Sequence, residues 1–496
     1  MLSFVPASSS ERLRLLFLVA LFVTLTSKGL ALLPGYAFDD YIVTYIDATV
    51  PYYLSQGRFT QASLQWLATE AGLAVPSFYW PFTLSILLAF PLLVAYGFSK
   101  IGDARTPIVA QAVGVAIVCA HPYFTEYFTF RQALYNALIY VLMMLLHLYW
   151  VFRIDPARSA WSPTNRRSVA YAAGALVLAM GGHQLTFPMV LSITTMSLIV
   201  SWAQSEERKP FLRWAHSQIP IAVPYVVAGV IYVAVFVITK KLSGAENDGR
   251  GNVLPLTEFP GRLRDLGALC KAIVMGHEPI LSRSAKYFAL FPTLLLLAIG
   301  LRRNPAAVAL AVAALLVLIA ISLAPVALSA EWWPVPRSLS ALAFVFGSAA
   351  TVALILGRSR IQSGMVAFLA TSGVLMVFFS SAMLNDQQRL NRWDLNKAQL
   401  IAYDVARKHG AEALARTQLI NGTWDYPIHL MTPTGDLNAS SFAKSWAYPG
   451  LIREASGYAM PFAGPLDPST TECNERPKWP AVDSIYEAGE VIVVCL

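Results

Sequence analysis

Stretches of about 20 mainly apolar residues recur along most of this 496-residue chain. A helix of that length crosses roughly 30 Å, the thickness of the hydrocarbon core of a bilayer. The composition agrees, because 56% of the residues are hydrophobic and only 13% are charged, a balance that soluble domains seldom show. The stretches are also too long and continuous for the strands of a barrel. The sequence therefore predicts an all-α polytopic membrane protein.

Eleven transmembrane helices are predicted, each with boundaries accurate to several residues. The third and the fifth are short, which is compatible with a tilted, broken or partly re-entrant helix. The first is interpreted as a retained span rather than a cleaved signal, because its apolar stretch is long and no A-x-A-like site follows it. The predicted spans are 14–35, 81–98, 106–120, 133–152, 168–182, 185–203, 218–238, 287–301, 305–325, 338–356 and 363–383.

Basic residues in the short connectors predict the orientation. With the N-terminus in the cytoplasm, the inner connectors hold fifteen lysines and arginines, and the short outer loops hold three, Arg58, Arg131 and Arg337. This asymmetry follows the positive-inside rule. The long loop 239–286 is also outside, but long loops do not obey the rule. Eleven spans then place the C-terminus outside.

Residues 384–496 are mixed in composition and predict a small external α/β domain. The segment NKAQLIAYDVARKHG has the spacing of an amphipathic helix closed by glycine, and SIYEAGEVIVVCL alternates like a β-hairpin. In an oxidising compartment Cys473 and Cys495 are expected to form a disulfide, with two unpaired thiols as the alternative. The predicted domains are a membrane domain, 1–383, with outer loops 36–80 and 239–286, and a C-terminal domain, 384–496.

Charge and motifs exclude several classes of function. The formal net charge of +8 does not indicate nucleic-acid binding, because the charges lie mainly in short connectors between apolar runs. The spacings contain no HExxH, Walker loop, GxSxG or metal-type cluster of Cys and His. We therefore predict no metal site, no cofactor and no nucleotide hydrolysis, although a requirement for a divalent cation stays open.

Two adjacent carboxylates, Asp39 and Asp40, follow the first span. Like charges this close raise the pKa of one of them, which suits a general base. One Asp would then remove a proton from a hydroxyl while its neighbour orients it or the substrate. Solvated loop acids are the alternative. Between this pair and the second span, helical apolar spacing broken at Pro51 and Gly57 predicts two short helices in the outer interface, above a groove open to the bilayer.

Three further basic residues are candidates for binding phosphate at the outer face. Arg131 and Arg337 each lie just before a span, at the depth of lipid headgroups, and a guanidinium binds phosphate in bidentate fashion. Snorkelling to bulk headgroups is the alternative. Lys28 lies within the first span, where an ionisable group is costly unless paired. Its expected partner is Glu126, Asp40 or a bound phosphate, and a lysine that reaches up to the interface is the alternative.

The remaining outer segments supply candidate substrate contacts. Trp332 and Trp333 are our choice for stacking on a sugar ring, although most outer aromatic residues fit an interfacial belt. His183 and Gln184 lie between two spans and are expected to line the same cavity, with a structural histidine as the alternative. The predicted substrate-binding residues are Tyr123, Glu126, His183, Gln184, Glu331, Trp332 and Trp333.

Three segments carry a resemblance to a known family. They are FDDYIVTYIDATVPYYLSQGR after the first span, HPYFTEYFTFRQALYNALIYVLMM entering the fourth, and GGHQLTFPMVLSI at the fifth and sixth. Together they resemble the bacterial O-antigen glucosyltransferase family associated with serotype conversion. The chain also looks like a member of the wider class of polyprenyl-phosphate-sugar-dependent transferases with the GT-C membrane fold. The resemblance covers roughly residues 10 to 390, and its motifs are moderately specific.

The resemblance implies an activity that spacing alone does not. Such enzymes move a hexose, here expected to be glucose, from an undecaprenyl-phosphate carrier to a glycan such as lipopolysaccharide O-antigen. They act at the periplasmic face of the bacterial inner membrane, with an acidic residue of the first outer loop as catalytic base. Carried over, Asp39 or Asp40 takes that role, and Arg58 and Arg131 match positions near the donor phosphate. The basic loop 239–286 and the C-terminal domain depart from the family, so the sugar and the acceptor stay open.

Compartment and resemblance point to the same chemistry. No nucleotide sugar is available outside the inner membrane, so a transferase acting there needs a donor whose lipid tail stays in the bilayer. The hypothesis is that one Asp deprotonates an acceptor hydroxyl, which attacks the anomeric carbon while arginines stabilise the departing lipid phosphate. A single displacement of this kind inverts the anomeric configuration.

Other functions compatible with the membrane topology stay open. A transporter or flippase of lipid-linked sugars predicts polar residues inside the spans and a repeat between the halves of the chain, neither of which is evident. A glycan polymerase or an O-acyltransferase would share the compartment but use a different donor. A structural membrane scaffold is a further alternative. The clustering of acids on one face argues against it.

Overall fold

The computed structural model of the protein is mainly helical. It describes residues 8–42, 49–71, 79–205, 210–244, 249–275, 283–420, 422, 428–431, 439–458 and 472–496. The helices are α1 Ser9–Lys28, α2 Phe38–Ile42, α3 Thr49–Ser55, α4 Phe59–Glu70, α5 Tyr79–Ser99, α6 Ile108–Ala120, α7 Pro122–Thr125, α8 Leu134–Val151, α9 Pro163–Gly182, α10 Thr186–Gln204, α11 Phe211–Ser217, α12 Ile219–Ser243, α13 Phe259–Met275, α14 Arg283–Arg303, α15 Pro305–Leu328, α16 Ala341–Leu356, α17 Gln362–His409 and α18 Tyr448–Ser456. The strands are β1 Thr417–Ile420, β2 Ile485–Ala488 and β3 Val491–Cys495.

Eight helices in the described segments are long and apolar enough to cross a membrane, namely α1, α5, α8, α10, α12, α14, α15 and α17. The chain is therefore a multi-pass helical membrane protein. Each of the eleven predicted spans coincides with a helix, but three of these helices do not meet both criteria. The count of eleven stays a prediction.

The three exceptions have separate physical causes. Helix α6 has 13 residues and stops where His121 is extended and Pro122 opens the next helical turn, so α6 and residues 122–129 form a pair bent by 45°. Helix α16 has only 16 residues. Helix α9 has 20 residues, but Arg166 and Arg167 near its start reduce its apolar length.

The helices of the bundle pack around one continuous apolar core. In it the rings of Phe90 and Phe124 stack with their centroids 3.9 Å apart. Helices α6 and α16 approach closely through glycines, because a Cβ atom on Gly114 would lie 2.7 Å from the carbonyl oxygen of Gly347. Small residues at such crossings are typical of helix pairs in membranes, where close backbone packing replaces the hydrophobic drive.

The described residues between α1 and α5 form three short helices, α2, α3 and α4. The predicted break at Gly57 is found between α3 and α4, where this residue adopts φ +74°, a conformation that favours glycine. Pro51 does not break the helix, because it lies in the first turn of α3, where no intrahelical donor is lost. A larger side chain at Gly57 would also collide with the Tyr232 hydroxyl, 2.6 Å from an added Cβ.

The C-terminal region forms a second, smaller core beyond the bundle. A three-stranded sheet has the order β1-β3-β2, with β1 parallel and β2 antiparallel to β3, so the predicted hairpin of β2 and β3 is present. Cys473 and Cys495 are joined by a disulfide. The predicted boundary at 384 falls inside α17, a continuous helix of 48 residues that leaves the bundle and packs against α18.

Residues 386–394 of α17, here called the stem, connect the bundle to the C-terminal region. Their polar side chains hydrogen-bond to residues at four other positions of the chain. The bonds run from Gln387 Nε2 to Thr129 O (2.5 Å), Gln388 Nε2 to Leu30 O (2.8 Å), Asn391 Nδ2 to Tyr41 Oη (2.7 Å), and Ser440 Oγ to Asp394 Oδ1 (2.6 Å). The stem therefore fixes the positions of these segments relative to one another.

Candidate functional site

A cavity of about 990 Å³ lies where α9, α12 and α15 end and α8 and α10 begin. Its volume is at the upper end of the range usual for ligand pockets. Seven of the residues predicted from the sequence line it, although they come from distant parts of the chain. They are Asp39, Arg58, His183, Gln184, Glu331, Trp333 and Arg337.

The cavity has an apolar wall formed by α12 and α15. Helix α12 packs on α3, α9 and α11, and α15 packs on α10, α14 and α16, so in the described segments these two helices border the cavity without an extended contact with each other. Val233 of α12 and Leu328 of α15 line the cavity and yet are 56% and 51% exposed. The cavity thus opens on an apolar face of the bundle.

Helix α2 separates the two adjacent carboxylates. Consecutive residues of an α-helix point about 100° apart, and here Asp39 lines the cavity while Asp40 is fully buried. The backbone N–H of Ala37 donates to Asp40 Oδ2 at 2.9 Å, which fastens the start of α2. Asp40 also acts electrostatically on Arg131. Of the two, Asp39 is therefore the residue placed to meet a ligand.

Arg58 follows the left-handed Gly57 and faces the same cavity. Its Nε–H is buried, and no hydrogen bond or ion pair of its guanidinium is found within the described segments. Burial raises the pKa of Tyr53, while the charge of Arg58 acts in the opposite direction and that of Asp39 adds to the rise. Arg58 and Asp39 are therefore close enough to influence the same side chain.

Arg337 reaches the cavity from the segment before α16 and is paired. Its Nη1 lies 2.5 Å from Oε1 of the fully buried Glu126, and its backbone N–H donates to the other carboxylate oxygen. The guanidinium also lies 4.5 Å from the ring centroid of Phe130. Glu126 itself does not line the cavity, so its predicted role as a substrate contact is replaced by that of holding Arg337.

His183 and Gln184 cap the junction of α9 and α10. Burial, together with the charges of Arg58 and Arg337, lowers the pKa of His183, so the imidazole stays neutral. Its Nε2 lies 3.1 Å from the Tyr127 hydroxyl. Gln184 Nε2 donates to Gln56 O at 2.5 Å. Both residues therefore tie the cavity wall together and present neutral polar groups.

Glu331 and Trp333 border the cavity together with Arg250, a residue of the long outer loop. The Arg250 guanidinium binds Glu331 through two contacts of 3.0 and 3.4 Å and lies 4.4 Å from the Trp333 ring centroid. A β-bridge between Val253 and Ser329 runs alongside. These contacts hold residues 249–254 against the cavity.

The structure places Arg131 outside the cavity. This arginine is fully buried, and its guanidinium donates to the carbonyl oxygens of Gly35 (3.2 Å), Leu33 (3.4 Å) and Phe128. Arg131 thus joins three carbonyls of the segments that follow α1 and α7, and its role at the donor phosphate stays a prediction.

Three more predicted residues also lie away from the cavity. Lys28 is fully buried and donates to the Cys119 carbonyl oxygen and to Ser27 Oγ, which ties α1 to the end of α6. Tyr123 is buried in a small apolar cluster next to His121. Trp332 packs under the guanidinium of Arg262, 5.0 Å from its ring centroid. None of the three lines the cavity.

Sequence reasoning missed several lining residues. Arg250 lies in the long basic loop, whose charges give no positional signal, and Tyr53 is one of many outer aromatic residues. Trp446 comes from the C-terminal region, and only the fold brings it to this wall.

The arrangement offers one carboxylate and one guanidinium to a ligand in a partly apolar cavity. Within the described segments there is no group of three His, Cys, Asp or Glu residues that could hold a metal ion. Arg250 and Arg337 already bind carboxylates of this chain. The chemistry best suited to Asp39 and Arg58 is proton removal by the first beside an anion held by the second.

Comparison with family models, with curated proteins and with solved structures finds no match to this chain.

Proposed function

We propose that the protein transfers a hexose, most simply glucose, from a polyprenyl-phosphate carrier to a hydroxyl of a glycan. The reaction would take place at the periplasmic face of a bacterial inner membrane, with the N-terminus in the cytoplasm. The observation that carries this proposal is that Asp39 and Arg58 line the same cavity, which opens on an apolar face, and that the Arg58 guanidinium has no hydrogen-bond or ion-pair partner among the described residues.

The apolar wall suits a donor that remains in lipid. A polyprenyl chain lying between α12 and α15 would bring its phosphate into the cavity that Arg58 lines. A partly buried guanidinium gains from a phosphate, which it binds through parallel N–H bonds. A soluble nucleotide sugar would have no use for the apolar wall.

The reaction is an inverting displacement. Asp39 takes the proton of the acceptor hydroxyl, and the hydroxyl oxygen forms a bond to the anomeric carbon as the bond from that carbon to the phosphate oxygen breaks. The electron pair leaves on the polyprenyl phosphate, whose added charge Arg58 stabilises. His183 lines the same cavity and, being neutral, does not compete with Asp39 for the proton.

The test uses the full chain in nanodiscs with polyprenyl-phosphate [14C]glucose and lipopolysaccharide from a strain that lacks this gene. We expect label to pass to the lipopolysaccharide and Asp39→Asn to lose at least 100-fold in rate, as for removal of a general base. The matched control is Asp40→Asn, which changes the adjacent, buried carboxylate and should lower thermal stability.

Two results would contradict the proposal. If the wild-type protein leaves the labelled donor unconsumed, the transferase function is wrong. Movement of the donor across the membrane of proteoliposomes, without transfer, would support a lipid-sugar transporter. If the donor is consumed and Asp39→Asn keeps full activity, the base is another residue.

A further inference from the structure

Among the described residues after 384, Trp446 is the one that lines the cavity. It lies in a short helical turn, residues 445–447, just before α18. This turn and α18 both pack on α2, the helix that carries Asp39. The C-terminal region therefore contributes an aromatic wall beside the proposed base.

Close contacts fix the position of Trp446 relative to α2. The Trp446 ring meets the Phe38 ring edge-on, with centroids 6.3 Å apart and an angle of 69° between the planes. The Lys444 Nζ lies 4.9 Å from the centroid of the Trp446 ring. Nearby, a Cβ atom on Gly450 would lie 2.4 Å from the Tyr41 carbonyl oxygen, so α18 rests directly on α2. Because Phe38 precedes Asp39, the indole and the carboxylate keep a fixed relation.

The indole has the chemistry of a sugar-binding surface. A pyranose ring presents C–H groups on its faces and hydroxyls at its rim, and tryptophan offers a flat apolar face with a donor at one edge. The Trp446 Nε1–H is buried and has no acceptor within the described segments. A buried donor without an acceptor is costly, and a sugar hydroxyl is a suitable partner.

We propose that Trp446 holds a sugar residue of the acceptor glycan against Asp39, an inference that rests on the proposed transferase function. The donor's lipid is assigned to other elements of the lining, because the apolar wall belongs to α12 and α15. The acceptor then approaches over the C-terminal region, and the two substrates meet at Asp39. Trp446 is thus a specificity-determining residue for the acceptor.

Two measurements test this role with the full chain in nanodiscs. The first is calorimetric binding of O-polysaccharide released from lipopolysaccharide of a strain lacking this gene, with no donor present. The second is the KM for that lipopolysaccharide and, separately, the KM for polyprenyl-phosphate glucose. Trp446→Leu should weaken polysaccharide binding and raise the acceptor KM by about 10-fold or more, with the donor KM changed less than about 2-fold. Trp446→Phe keeps an aromatic face for stacking, so its polysaccharide binding and its acceptor KM should be close to those of the wild type.

Trp393→Leu is the matched control, because Trp393 packs on the same C-terminal core without lining the cavity. If it raises the acceptor KM as much as Trp446→Leu does, the effect is one of stability, and the inference is wrong. Unchanged polysaccharide binding by Trp446→Leu, or no binding by the wild type, also overturns it. An unconsumed donor with intact polysaccharide binding instead contradicts the transferase function and leaves the binding role of Trp446 supported.

Discussion

Two arginines of the outer segments give opposite predictions when each is replaced by methionine. Arg58 lines the cavity, and its guanidinium has no hydrogen-bond partner among the described residues, whereas Arg131 is fully buried and donates to three backbone carbonyls. In both cases methionine retains most of the apolar part of the arginine side chain and removes the charge. Arg58→Met should therefore affect catalysis, and Arg131→Met should affect folding.

The magnitudes follow from these contacts. A hydrogen bond from a charged donor contributes roughly 1.5–3 kcal/mol, so the lower value for the three bonds of Arg131 gives a loss of about 4.5 kcal/mol in the free energy of unfolding. Arg58→Met breaks no such bond and should change it by less than about 1 kcal/mol. Removing a donor that stabilises charge in a transition state lowers kcat by roughly 100- to 1000-fold, which is the loss expected for Arg58→Met.

The assay measures stability and activity for each variant under the same conditions. Thermal unfolding of the purified chain in detergent reports stability, and transfer of labelled glucose from the polyprenyl-phosphate donor reports kcat. Arg58→Lys serves as an intermediate, because it restores the charge but not the planar fork of donors. If Arg131→Met unfolds like the wild type and loses transfer, or if Arg58→Met unfolds readily and its folded fraction is fully active, the assignment of the two arginines is reversed.

Two further predictions concern the C-terminal disulfide and the neutral histidine. Cys473 and Cys495 are separated by 22 positions, and reducing a disulfide that closes a loop of that size should destabilise the C-terminal region by about 3 kcal/mol. Alkylation before reduction should modify the exposed Cys270 and spare this pair. Modification of the pair in freshly isolated membranes would contradict an outer location. Because the pKa of His183 is lowered in the folded state, the unfolded state binds a proton that the folded state does not as pH falls below about 6.5. The apparent Tm of the wild type should therefore drop more between pH 7.5 and 5.5 than that of His183→Gln, and equal drops would show that His183 titrates alike in both states.

The helices of this fold were predictable because apolar runs of span length have few alternatives in a bilayer. What the periodicity did not reveal is where a run breaks, as at His121 and Pro122. The boundaries of the short helices were also not predictable, because Pro51 has the same local sequence pattern whether it begins a helix or interrupts one. The sequence identifies the two adjacent carboxylates as candidates, but only the orientation of α2 distinguishes Asp39, which lines the cavity, from the buried Asp40.

Pairings over long sequence separations account for the rest of the site. Glu126 and Arg337 are 211 positions apart, and nothing in either segment alone indicates that one neutralises the other. Arg131 has the position of a phosphate ligand in sequence, but the three carbonyls around it are backbone groups, which carry no sequence signal. Trp446 reaches the cavity only because α18 packs on α2.

The stem of α17 has a consequence for how such a chain tolerates insertions. A helix of 48 residues is about 72 Å long, so more than half of α17 extends beyond a hydrocarbon layer of roughly 30 Å. One residue added between Gln387 and Asp394 would rotate everything after it by about 100°, and the amide and carboxylate bonds on either side of the addition could no longer form together. Length variation in this protein should therefore be confined to its connecting loops, while this straight polar stretch keeps a fixed number of residues.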